Sequence, residues 1–289
     1  MTLIRLPLII FTLLLPLLSH AKTSIWQVSD GKNTVYLGGT FHMLKASDYP
    51  LPKEFEQVYK KVNWLVFETD MDQLESSEFQ QKFLKSMTLP TGQILADHLS
   101  AEAYAELIRY AAKNNMDTGR LQRFKPQMIG LIITIEELQK YGLTAPGVDN
   151  YIGEKAREDG KVVTKLESTD DQIRYISTMG EGNESNLILQ TLADIKDLPK
   201  ELDAMSSAWR SGDDKALFES GIKPMLDDYP NIYKSLLVER NNNWMEKIEK
   251  LIAQPEEKFI LVGALHLIGQ DGLLQQLKDR GYSIKQFEG

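Results

Sequence analysis

The chain of 289 residues contains no cysteine. Disulfides therefore cannot hold it together, and an ordinary apolar core must do so. The same absence leaves only histidine and carboxylate ligands for a metal site, and it excludes lipid attachment through cysteine. Histidine is scarce, at four residues. Positive charge is also in deficit: 33 Lys and Arg against 41 Asp and Glu give a formal charge of −8. Such a surface argues against a nucleic-acid partner or an anionic membrane surface recognised by bulk electrostatics. Low-complexity linkers and repeats of 20–50 residues are missing. No apolar run beyond the first twenty residues is long enough to cross a membrane.

What is present begins with "MTLIRLPLIIFTLLLPLLSHA". Arg5 precedes an apolar core of about a dozen residues, and Ser19 and Ala21 supply small side chains at the −3 and −1 positions of a cleavage site. Pro7 and Pro16 interrupt a run already short of the roughly 20 residues a span needs. Residues 1–21 are expected to be a signal peptide, leaving no stable membrane anchor. The expected location is the bacterial periplasm. Residues 22–289 form one expected α/β domain, with a largely helical insertion from about 74 to 145.

"SIWQVS" and "TVYLGG" flank "DGKN", the pattern of a β-hairpin. Pro52–Val62 carries Phe55, Val58, Tyr59 and Val62 at helical spacing. "WLVFE" has the continuous apolar character of a strand buried on both faces. "KPQMIGLIITIEELQKYG" predicts a buried helix from Pro126 to Gly142, and "VDNYIGEKAREDG" a helix closed by Gly160. "KVVTKLES" follows as a strand, and Thr169 to Gln172 have capping-box spacing for the next helix. "KFILVGALH" is expected as a strand, "GLLQQLKDRG" as a helix and "YSIKQFE" as a strand. Strands thus cluster near both chain ends, with helices between them.

The polar residues that follow these strands suggest a site. "TVYLGGTFH" ends in His42, "WLVFE" in Glu68, "KVVTKLE" in Glu167 and "KFILVGALH" in His266. Open α/β sheets bind ligands beyond the carboxyl ends of their strands. Four parallel neighbours would therefore bring two His and two Glu to one edge. Gly39 and Gly263 each stand three residues before a His, where glycine permits bending or close approach. In "NIYKSLLVERNNNWMEKIEKLIA" the apolar positions Tyr233, Leu237, Trp244, Ile248 and Leu251 form one helical stripe, and Arg240 falls on it. A buried Arg needs an anionic partner, and the strand-end glutamates are the natural ones. His20 belongs to the leader, and His98 is expected at the surface before a helix capped by Ser100.

These stretches resemble the TraB/PrgY/GumN family, which includes the animal TIKI proteins. "LGGTFHML" and "ILVGALHLIGQDGLLQQLKDRGYSI" are similar to its first and last G-x-x-H motifs, and "LVFETD" to its Glu motif. "GVDNYI", "KLES" and "ERNNNW" are similar to its internal landmarks. The resemblance implies a TIKI-like, erythromycin-esterase-like sheet flanked by helices. It also implies a site built on His42, His266 and Glu68, with Glu167 and Arg240 less firmly carried. TIKI proteins are described as divalent-metal-dependent proteases that favour Mn or Co; Zn would suit the same ligands.

Three functions follow. The first is a metal-dependent hydrolase of peptide or other small acyl substrates, with His42, Glu68 and His266 on the metal. In it Glu167 or Glu68 acts as base, and Arg240 orients a carboxylate or stabilises developing negative charge. The second is metal-free His/Glu hydrolysis. The third is a non-catalytic peptide-binding or regulatory protein. Sequence does not decide the oligomeric state.

Overall fold

The computed structural model describes residues 22–289; the expected signal peptide lies outside the described residues. Strand β1 (Lys22–Ser29) turns back into β2 (Thr34–Thr40) as an antiparallel hairpin. Asp30 makes the turn: its carboxylate accepts the backbone N–H groups of Lys32 and Asn33, and Gly31 takes a φ of +91°. After β2 come a short strand β3 (Met43–Lys45), a helix at Lys53–Lys61 and β4 (Trp64–Phe67). Pro52 stands at the N-cap of that helix. Phe55, Val58, Tyr59 and Val62 are all buried, as their spacing predicts.

The middle of the chain is helical, at Ser77–Met87, Ala101–Lys113 and Pro126–Lys140. Ser100 caps the second of these by accepting from Ala103 N. Strand β5 (Leu143–Pro146), the helix Val148–Glu158 and β6 (Val162–Lys165) follow. Further helices lead to Glu239–Ile252, then β7 (Lys258–Gly263), the helix Leu273–Asp279 and β8 (Ser283–Glu288).

The main sheet runs β6-β4-β7-β2-β1-β8. Its first four strands are parallel neighbours: β6 on β4, β4 on β7, and β7 on β2. They are the four strands whose ends carry Glu167, Glu68, His266 and His42, so their carboxyl ends share one edge. β1 and β8 complete the sheet in antiparallel fashion. The fold is therefore mixed α/β, with strands from both chain ends flanked by helices. A second apolar core lies among the middle helices, where Leu95, Leu107, Ile129 and Ile133 pack with Ile188 from the later helix Glu184–Asp194.

Local expectations fail in four places. The capping box before Thr169–Ser177 is built by Ser168 and Asp171, one residue earlier than Thr169 to Gln172. Ser168 has the extended backbone a cap requires, whereas Thr169 is already helical. "KFILVGALH" does not stay extended to its end. β7 stops at Gly263, and His266 rides on a single helical turn, Ala264–Leu267. Leu251 is only half-buried, and Ile252 takes the buried position on that helix. A two-stranded ribbon of β3 and β5, pairing Met43 with Pro146, was not expected at all.

Candidate active site

The sheet edge gathers one connected polar network. Arg240 enters from the helix Glu239–Ile252, on the face that also buries Trp244 and Ile248. Its Nη2 donates to Glu68 Oε2 at 2.5 Å and to Glu167 Oε1 at 2.7 Å. Its Nε donates to Glu167 Oε2 at 3.2 Å, and its Nη1 donates to His266 Nε2 at 3.1 Å. The Trp244 ring lies 4.7 Å from the guanidinium and donates its own Nε1–H to Glu167 Oε2. Removing one partner from so buried an ion cluster would leave an uncompensated charge.

Burial opposes the Arg240 charge, but the two carboxylates outweigh it and the guanidinium stays charged. Burial pushes Glu68 up; the Arg240 charge and the Gly263 N–H, 2.6 Å from Oε1, overcome this and hold it well below the usual carboxylate range. For Glu167 burial prevails, and its carboxyl is raised although Arg240 opposes the shift. With both carboxylates ionised, the Arg–Glu–Glu cluster carries one negative charge in excess.

The two motif histidines are held differently. His266 is buried, and burial lowers it to about 3. Asn241 donates both amide hydrogens, to the carbonyls of His266 and Asp271. Its Oδ1 must then accept from His266 Nδ1, 2.7 Å away. That bond fixes the neutral tautomer with a lone pair on Nε2. His42 lies two residues beyond β2, with 64% of its side chain exposed. Its Nδ1 meets Asp149 Oδ2 at 3.0 Å, and that carboxylate raises the imidazole to about 9. Solvent over the exposed ring screens part of this field.

Gly263 joins the two halves. A Cβ placed there would stand 3.2 Å from Glu68 Oε1, 3.5 Å from His266 Cδ2 and 3.9 Å from His42 Nε2. Three predicted ligands therefore surround one small space that exists because residue 263 has no side chain. Gly39 acts one step back. A Cβ there would press to within 3.1 Å of the Ala264 backbone, so glycine lets β2 approach the turn that carries His266.

The structure brings His42, Glu68, Glu167, Arg240 and His266 together and leaves His98 elsewhere, bonded to Gln93. Glu167 lines neither of the two cavities that open on the site; it stands behind Arg240. Asp149 and Asn241 were missed. Both lie in quoted landmarks, "GVDNYI" and "ERNNNW", next to residues already noticed. Nothing in their spacing marks them as partners of the two histidines.

Comparison with known proteins places the chain in a family. The sequence model of the TraB/PrgY/gumN family matches residues 24–286, nearly all of the described chain. The chain belongs to the TraB/PrgY/gumN family. It is 24% identical over 257 residues to YbaP of Escherichia coli (strain K12), described as an uncharacterized protein, covering 86% of this chain and 89% of that one. YbaP of Shigella flexneri matches at the same identity and coverage. No solved structure matches the chain significantly.

Proposed function

We propose that this TraB/PrgY/gumN member is a divalent-metal-dependent hydrolase of peptide or other small acyl bonds, working in the bacterial periplasm. The observation that carries the reading is the convergence of His42 Nε2, Glu68 Oε1 and His266 around the space left by Gly263. Glu68 Oε1 and His266 Nε2 are 3.8 Å apart. Asp149 Oδ1 is buried without a hydrogen-bond partner, and with both glutamates ionised the Arg–Glu–Glu cluster beside it carries one negative charge in excess. Both features suit a cation in donor chemistry. Among the described residues no three His, Asp or Glu side chains already have closed metal-site spacing, and His266 Nε2 is engaged by Arg240.

His42, Glu68 and His266 would hold the ion, which when bound would act as a Lewis acid and lower the pKa of a water. The chain's own groups supply the rest. Arg240 presents a fixed positive charge toward the cavity, suited to developing negative charge on a carbonyl oxygen. Glu167 and Trp244 keep it there. Glu68, held ionised well below the usual carboxylate range, supplies fixed negative charge for an ion, and Asp149 orients His42 so that Nε2 faces the cradle. Periplasmic location is supported by the leader-like residues 1–21.

A metal-free version is favoured by one observation: Arg240 already caps His266 Nε2, while the Asp149–His42 pair forms an acid–base unit without help. Purified residues 22–289, titrated with Mn, Co and Zn and assayed on a peptide library, separate the readings. Metal binding with hydrolysis that chelation abolishes is the expected result. Hydrolysis that survives chelation supports the metal-free form, and a peptide held intact supports a binding protein. No metal uptake together with an unaffected His42→Ala variant sinks the proposal.

A further inference from the structure

Two cavities open on either side of His42 and share Thr40, His42, Leu236 and Arg240 as their common wall. The one of about 350 Å³ is mixed, with Asn150, Asp149, Gln172 and Tyr175 beside Met71. The one of about 280 Å³ is lined by Met205, Met225, Leu237, Ala264 and Leu265 and by no charged side chain beyond the shared wall and the His266 base. A cavity of about 150 Å³ already admits benzene, so this space holds an aliphatic group of several carbons.

Two π-turns flank that second cavity: Lys234–Val238 lines it, and Phe218–Ile222 packs against the residues of its wall. Each widens its helix by one residue, a feature that recurs at functional sites. The second π-turn carries Leu236 and Leu237 and leads directly into the helix of Arg240. The first brings Gly221 against Leu265: a Cβ there would fall 2.6 Å from Leu265 Cδ2 and 3.3 Å from Met205 Cε. Without that Cβ, Leu265 and Met205 can lie back and leave the cavity open. Methionine side chains adapt to apolar groups of different shape.

We propose that the substrate straddles His42 and places a neutral aliphatic group, next to the bond attacked, in the Met205–Met225 cavity. The reference to an attacked bond rests on the hydrolase reading; the binding of the aliphatic group does not. The group can come from a linear acyl chain or from a branched amino-acid side chain, and the two are told apart by the probes.

The test uses residues 22–289 labelled at the methionine methyls, with Met71, Met205 and Met225 assigned by single Met→Leu replacements. Hexanamide and N-acetyl-leucinamide are titrated in parallel, with acetamide as the short control. Either long probe should shift Met205 and Met225 while acetamide leaves them in place, and the tighter of the two names the source. Met225→Lys, which puts an ammonium in the cavity lining, should weaken the long probe on the order of tenfold. Shifts confined to Met71, or no shift at any of the three, would overturn the proposal. Shifts at Met205 and Met225 together with a peptide library left intact in every metal would support it and sink the hydrolase reading alone.

Discussion

His42 and His266 are spelled alike and placed alike, each three residues after a glycine on adjacent parallel strands. They nevertheless behave as opposites. His266 is sealed on a helical turn, donates to a neutral amide oxygen and stays unprotonated far below neutrality. His42 stands in a bend at the cavity wall, faces a carboxylate and holds its proton toward about 9. A motif fixes where a side chain is delivered; its partner and its exposure decide its charge. One histidine is made as a fixed lone pair, the other as a proton carrier.

The contrast can be broken most forcefully from the buried side. Arg240→Met leaves Glu68 and Glu167 buried without their cation and should cost about 3–5 kcal/mol in urea unfolding. A loss below about 1 kcal/mol would show that the network is far more solvated than its burial implies. Asn241→Leu removes the acceptor of His266 Nδ1 and the donors to two carbonyls. It should cost about 1–3 kcal/mol and release the histidine to the other tautomer, visible in ¹⁵N ring shifts.

On the exposed side Asp149→Asn should cost less than either buried change, because water over the partner ring screens the pair. Its visible effect is on titration: the His42 resonance of metal-free protein should move from about 9 back toward its ordinary 6.5. The sign for stability follows from a raised folded-state value. The His42 contribution is complete below 6.5 and fades as pH rises through about 9, and Asp149→Asn should remove that slope. Metal uptake runs the other way, since ion and proton compete for the ring. Affinity should climb with pH up to about 9 in the native chain and level off earlier in the variant. His98→Gln, the smallest case, should leave both activity and stability unchanged within assay error.

The sheet edge was legible because it rests on patterns of neighbouring residues. Apolar runs located the strands, the residue after each run located a side chain of the network, and a helical stripe located Arg240. Asp149 was illegible because its meeting with His42 is made by the β3–β5 ribbon. Val148 N donates to Phe41 O, and Gly147 lies so close to His42 that a Cβ would fall 2.4 Å from its carbonyl oxygen. Strands as short as "MLK" and "LTAP", one ending in proline, carry too little alternation to announce a pairing across a hundred residues. Asn241 sits in "NNN", where a polar run hides the one amide that turns inward. His266 was expected on a strand because "ALHLI" is apolar throughout, and a single helical turn leaves no period to detect.

Strand β7 lies between β2 and β4, although it is written near the end of the chain. A ribosome that has finished β2 and β4 has made His42 and Glu68 but no strand to seat them side by side. The last central strand supplies both the missing neighbour and the second histidine in one stroke. The centre is therefore assembled only after β7 has been made, more than two hundred residues after β2. Topology here makes the last of the four parallel strands the keystone of the site.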